Sequence, residues 1–200
     1  MLYGKNVVLG VSGGIAAYKS CEIVSRFVKL GANVDVIMTE HAEEFVTPLT
    51  FETLSNNRVV RGMFEERTEH DVRHVSLAKK ADALIVAPAT ANVIAKFAQG
   101  IADDMLSTTW LACKGIKVIA PAMNTAMYED EATVSNLRIL RSRGVVVIEP
   151  ATGRLACGDT GKGKMAEPAD IVCEVQSLLQ PVRDFDGKTV LVTSGATEEY

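Results

Sequence analysis

Hydrophobic and polar positions alternate along this chain in two rhythms. Short apolar runs occur at residues 7–11, 34–38, 83–87, 117–120 and 145–148. Runs of that length, rich in Val, Ile and Ala, suit strands covered on both faces. From Ile15 the pattern turns helical: Ala17, Cys21, Val24 and Val28 share one stripe, and Gly31 follows where a helix commonly ends in a left-handed residue. Further helices are predicted over 42–45, 48–54, 75–80, 103–113, 131–143 and 169–179, and from the turn at 88–92 through Phe97. Thr47 and Pro48 supply a cap and a favoured first position, and Gly144 closes the helix before the fifth strand, which reads as long. Residues 58–73 are largely polar and read mostly as loop.

Strands alternating with helices predict an α/β fold: a doubly wound, Rossmann-like parallel sheet with helices on both faces. Ligands of such sheets sit beyond the carboxyl ends of the strands, near a topological switch point. Four segments occupy those ends: Ser12-Gly13-Gly14, Thr39-Glu40-His41, Pro88 to Asn92, and Pro121 to Asn124. All are rich in Ser, Thr, Asn, Gly or Ala, which suits close approach by a flat, phosphate-bearing ligand. The first joins a strand to a helix N-terminus, where free backbone N–H groups favour an anion. Any α/β protein also needs a tight turn there, and G-x-G-x-x-G is not matched. The coincidence of four such segments favours the ligand.

Composition narrows the classes. A net charge of -4, with basic residues scattered, argues against nucleic acid as the main partner. No apolar run approaches the roughly 20 residues of a membrane span, and a strand so near Met1 leaves no room for a signal peptide. Cys21, Cys113, Cys157 and Cys173 lack C-x-x-C spacing, so a zinc site is not expected, and they read as reduced cytoplasmic thiols.

Residues 151–168 differ in kind. Four glycines fall within residues 151–165, and Cys157 stands between Ala156 and Gly158. A long loop without structure is expected, serving as a mobile flap over the site. Residues 181–187 read as a linker. Residues 188–200 then repeat the opening strand and turn without a following helix, as the start of a second domain.

Three residues could carry chemistry. His74, placed just before a short helix, could act as acid or base, or form a metal pair with His70, or serve only as a surface or capping residue. Asn124 could donate to a carboxylate or simply close an Asx-turn. Cys157 could deliver a proton or be an inert loop thiol. Met105, Met123 and Met127 read as packing.

Residues 11–19 (V-S-G-G-I-A-A-Y-K), 121–127 (P-A-M-N-T-A-M) and 156–159 (A-C-G-D) together resemble the flavin-dependent cysteine decarboxylases over residues 5 to about 180. Within that family the similarity is greatest to the phosphopantothenoylcysteine decarboxylase half of bifunctional bacterial enzymes of coenzyme A synthesis. Residues 184–200 resemble the start of the ligase half. One departure is Tyr128, where many members have Trp. The resemblance implies a flavoprotein-type fold over residues 1–180, with FMN at a subunit contact in trimers assembled into a dodecamer. It implies that Gly13, Gly14 and Ile15 hold the FMN phosphate, and that Thr39, Thr90, Ala91, Asn92 and Ala122 line the flavin site. His74 matches the family's active-site histidine, with the neighbouring subunit as its source. Asn124 matches the residue binding the substrate carboxylate, and Cys157 the acid on the flap. The implied reaction oxidises the substrate's CH₂–SH to a thioaldehyde, loses CO₂ to an ene-thiolate, and is completed by reduction and a proton. A peptidyl-cysteine decarboxylase and a non-catalytic flavin-binding regulatory protein are the alternatives.

Overall fold

Five parallel strands form the centre of the computed structural model, which describes residues 1–63, 72–154, 160–180 and 189. They are β1 (Asn6–Val11), β2 (Asn33–Met38), β3 (Ala83–Ala89), β4 (Ile116–Pro121) and β5 (Val146–Val147), in the order β2-β1-β3-β4-β5. All neighbours pair in parallel. The fold is therefore doubly wound as expected, and its order reverses between β1 and β3.

The strand pleat assigns alternate residues to two cores. Val7, Leu9 and Val11 join Ala83, Ile85 and Ala87 on one face, while Val8, Leu84, Val86 and Ile119 face the other. The first face is covered by α1 (Ala17–Lys29), α3 (Pro48–Ser55) and α9 (Pro168–Leu179). The second is covered by α4 (Arg73–Lys80), α5 (Ala91–Gln99), α6 (Met105–Ala112) and α8 (Glu131–Ser142). A one-turn α2 (Glu40–Glu43) follows β2, and α7 (Thr125–Glu129) follows β4. Among the described residues no helix is long and apolar enough to cross a membrane.

Several local expectations are corrected. The apolar stripe of α1 runs through Ala17, Ser20, Ile23, Val24 and Phe27, and Val28 is 39% exposed. The helix is turned so that bulky Phe27 fills the core, and Ser20 is buried because its hydroxyl donates to the Ala87 carbonyl at 2.6 Å. The fifth strand is short: only Val146 and Val147 are laddered onto β4, although the Ile148 N–H still reaches the Ile119 carbonyl. His74 lies inside α4 rather than before it. The expected structureless flap contains an antiparallel hairpin, β6 (Ala151–Arg154) paired with β7 (Thr160–Lys164). Cys157, His70, the linker and nearly all of residues 188–200 lie outside the described residues.

The capping box of α6 gives a prediction. Asp104 accepts the Ser107 N–H at 2.7 Å and an ion pair from Lys96 at 2.9 Å. Burial would raise its carboxyl, but these donors outweigh it and hold the pKa below the usual value. A depressed folded-state pKa means the contribution is present above the unfolded value and is lost as pH falls through the folded one. Asp104→Ala is expected to cost about 1 kcal/mol at neutral pH, with the deficit vanishing in acid. Urea titrations at both pH values check it.

Candidate active site

The switch point is built by hydrogen bonds between the ends of β1 and β3. Ser12, 1% exposed, donates from Oγ to the Pro88 carbonyl at 2.8 Å and accepts the Thr90 N–H at 3.1 Å. Thr90 then caps α5 by accepting the Val93 N–H. The two turns are thus held side by side. Among the described residues, the N–H groups of 13–16 have no protein acceptor, so the turn leaves donors at the start of α1.

A cavity of about 640 Å³ opens over these turns, within the usual range for small-molecule sites. Its floor is small-residue backbone from Gly13, Gly14, Ala16, Ala91 and Ala122. Asn124 and Met127 form one wall, and Gly163, Lys164 and Met165 of the hairpin side form another. The rim carries exposed apolar groups: Ile15 is 60% exposed and Tyr18 is 59% exposed. Lys19 and Lys164 both line the cavity and share Glu167, at 3.1 and 3.0 Å. Hydrogen bonds from Lys164 and then Lys19 hold the Glu167 carboxyl below its usual pKa. Two cations against one carboxylate leave this margin net positive, which favours an anionic ligand.

The cavity brings together Gly13, Gly14, Ile15, Thr90, Ala91, Ala122 and Asn124. Thr39, Asn92 and His74 are not on its lining. Thr39 stands at the end of β2 with its Oγ1 buried and, among the described residues, without a partner. Asn92 is exposed in the first turn of α5, and His74 is half-buried on α4. Asn124 caps α7, its Oδ1 accepting the Ala126 N–H at 2.8 Å. The Asx-turn reading is therefore correct as local structure, and it also fixes which way the amide is turned. Sequence reasoning passed over Tyr18, Lys19 and Lys164 as cavity residues. Lys19 was detectable, one helical turn beyond the Gly pair; Lys164 was hidden in a stretch with no strand signal.

The two glycines of the turn have different tasks. A Cβ on Gly13 would run into His41, whereas one on Gly14 meets only Thr90 Cγ2 at 3.7 Å and otherwise opens toward the cavity. Gly13→Ala is expected to destabilise the fold by about 1–3 kcal/mol through overpacking. Gly14→Ala should leave the melting temperature within a degree or so while lowering ligand occupancy. Thermal denaturation beside bound-ligand content separates the two.

The family model described as "Flavoprotein" matches residues 1–180. The chain belongs to the flavoprotein family. It is 49% identical over 201 residues to the coenzyme A biosynthesis bifunctional protein CoaBC of Bacillus subtilis (strain 168), covering 100% of this chain and 50% of that protein. This flavoprotein chain thus spans about half the length of the curated relatives it matches. Among solved structures, a cysteine-to-serine mutant of PPC decarboxylase complexed with pantothenoylaminoethenethiol superposes with a TM-score of 0.79 at 31% identity, over 87% of this chain and 97% of that one. The FMN-binding protein AtHal3 gives a TM-score of 0.76 at 31% identity, over 87% of this chain and 96% of that one.

Proposed function

We propose that this chain is an FMN-dependent phosphopantothenoylcysteine decarboxylase acting in coenzyme A biosynthesis, and that the natural protein continues into a phosphopantothenate–cysteine ligase. The observation that carries the reading is the meeting, in one cavity, of the Gly13-Gly14-Ile15 turn with Asn124 of the P-A-M-N-T-A-M segment. Identity to CoaBC over the whole chain supports both halves of the proposal, and the PPC decarboxylase neighbour supports the first.

The residues present fit FMN. The N–H groups of the 13–16 turn offer donors to a phosphate, and Ala91 and Ala122 leave room for a flat ring. Bound there, FMN supplies a two-electron acceptor that allows the substrate's CH₂–SH to become a thioaldehyde and later returns the electrons. Asn124, seated on the cavity wall and held by its cap, is the residue this reading assigns to the substrate carboxylate. Its geometry is fixed before substrate arrives, so little ordering is needed on binding. The positive margin at Lys19 and Lys164 favours a phosphorylated substrate. Met123, Met127 and Met165 give part of the cavity an apolar lining. Cys157 delivers the proton that the ene-thiolate carbon requires, and His74 reaches a site across a subunit contact.

That contact belongs to the same reading. Exposed Ile15, Tyr18 and Met127 ring the cavity, as a surface buried by assembly would, and the assembly is trimers built into a dodecamer in the cytoplasm. The test is direct: the purified protein should be yellow with FMN and release CO₂ from phosphopantothenoylcysteine. A colourless protein that cannot be reconstituted, or a yellow one that releases none, overturns the proposal.

A further inference from the structure

A carboxylate outside the cavity ties together two of the elements that wall it. Glu149 stands between β5 and the hairpin and takes hydrogen bonds from three elements. The Tyr128 hydroxyl on α7 donates at 2.9 Å, Lys162 Nζ on β7 donates at 2.7 Å, and the Arg141 guanidinium on α8 completes the set. Lys162 Nζ also lies 5.4 Å from the centroid of the Tyr128 ring. None of these four residues lines the cavity, yet their neighbours do: Asn124 and Met127 beside Tyr128, Gly163 and Lys164 beside Lys162.

The same seam is closed at backbone level. The Met123 N–H donates to the Gly163 carbonyl at 3.0 Å. Gly163 has a φ of +153°, and a Cβ there would strike the Met123 carbonyl; one at Gly161 would strike the Thr125 side chain. β7 therefore lies as close to residues 123–125 as backbone allows, with a charged clamp at the far end of the contact.

We propose that Glu149 is a positioning residue whose carboxylate clamps β7 to α7 and so sets the spacing between Asn124 and the hairpin wall of the cavity. The proposal rests on the decarboxylase reading, in which that space receives the substrate. Three convergent donors, two of them cationic, require a carboxylate. Burial would raise the Glu149 carboxyl, but Lys162, Tyr128 and Arg141 together hold it below the usual range. The amide of Gln offers one acceptor and turns an NH₂ toward a cation. Partly exposed ion pairs add little to global stability, so the effect of the clamp falls on geometry. Gly13, Gly14 and Thr90 lie on other elements, so the cofactor turn is independent of it.

The test uses FMN-loaded, full-length protein. Glu149→Gln is expected to keep its flavin content and absorption spectrum while kcat/KM for phosphopantothenoylcysteine falls about tenfold, mainly through KM. Lys162→Gln should lose as much, Lys162→Arg should retain most activity, and the Glu149→Gln, Lys162→Gln double variant should fall no further than either single. Amide exchange over residues 160–164, measured without substrate, should quicken in Glu149→Gln and Lys162→Gln. Additive losses, loss of flavin in step with turnover, or unchanged kinetics and exchange would each overturn the clamp. If Glu149→Gln does not fold, the Lys162 pair decides, and equal activities of Gln and Arg refute it. If the wild-type protein releases no CO₂, the decarboxylase reading fails by itself. The exchange measurement still judges the clamp, and unaltered exchange sinks it.

Discussion

Asn124→Asp is expected to abolish turnover while leaving fold and flavin content intact. The Oδ1 of Asn124 accepts the Ala126 N–H, and Asp caps a helix as well as Asn does, so α7 keeps its start. What changes is charge. A carboxylate set about 4 Å from the substrate carboxylate costs about 1 kcal/mol in water and about 4 kcal/mol at an effective dielectric constant near 20. The methionine and alanine lining of the cavity places the site toward the larger figure. About 4 kcal/mol corresponds to roughly a thousandfold in kcat/KM. The variant also loses the amide donor, which acts in the same direction. Steady-state kinetics and titration of substrate binding measure the loss, with the melting temperature as control. Unchanged kcat/KM would remove Asn124 from substrate recognition, and a matching fall in melting temperature would reduce it to a cap.

The architecture was legible because parallel strands buried on both faces leave an unmistakable trace. Residues 7–11 and 83–87 are apolar throughout since the pleat sends alternate side chains into two cores. Strand order was not legible, since right-handed crossovers and covered faces narrow the arrangements without choosing among them. Boundaries and rotations were less visible. The stripe of α1 was misplaced because Cys21 and Val28 fit the helical period as well as Ser20 and Phe27 do; size and a hydrogen bond from Ser20 to Ala87 decided between them.

The hairpin was invisible for a different reason. T-G-K-G-K in β7 carries no apolar alternation, because its glycines serve close backbone approach to residues 123–125 rather than a hydrophobic face. The site followed the same division. Residues in contiguous turns, such as Gly13 with Gly14 and Thr90 with Ala91, could be found from the strand-end rule. Lys164 and Met165 reach the cavity only through the hairpin's tertiary docking, and no local pattern announces that. His74 is placed on α4 and away from the cavity lining, because the helix starts before it and carries it to the outer side of the sheet's second face.

Cys157→Ser is expected to separate carbon–carbon cleavage from product completion. Loss of CO₂ from the thioaldehyde needs the electron sink and a bound carboxylate, neither of which the thiol supplies. Saturation of the resulting ene-thiolate does need a proton at carbon. A thiol with an ordinary pKa near 8.5 is a far better donor than an alcohol, and a well-placed general acid contributes about 10²–10⁴-fold to such a step. The variant should therefore release about one CO₂ per site in a burst and then slow by at least about a hundredfold. The bound species should be an ene-thiol, lighter than phosphopantetheine by two hydrogens. The structural neighbour with a cysteine-to-serine change is described as holding pantothenoylaminoethenethiol, which is the class of compound this reasoning requires. Rapid-quench CO₂ measurement with mass spectrometry of the bound product decides the matter. Absence of any burst would move the cysteine ahead of cleavage, whereas undiminished steady turnover would show that the proton comes from elsewhere.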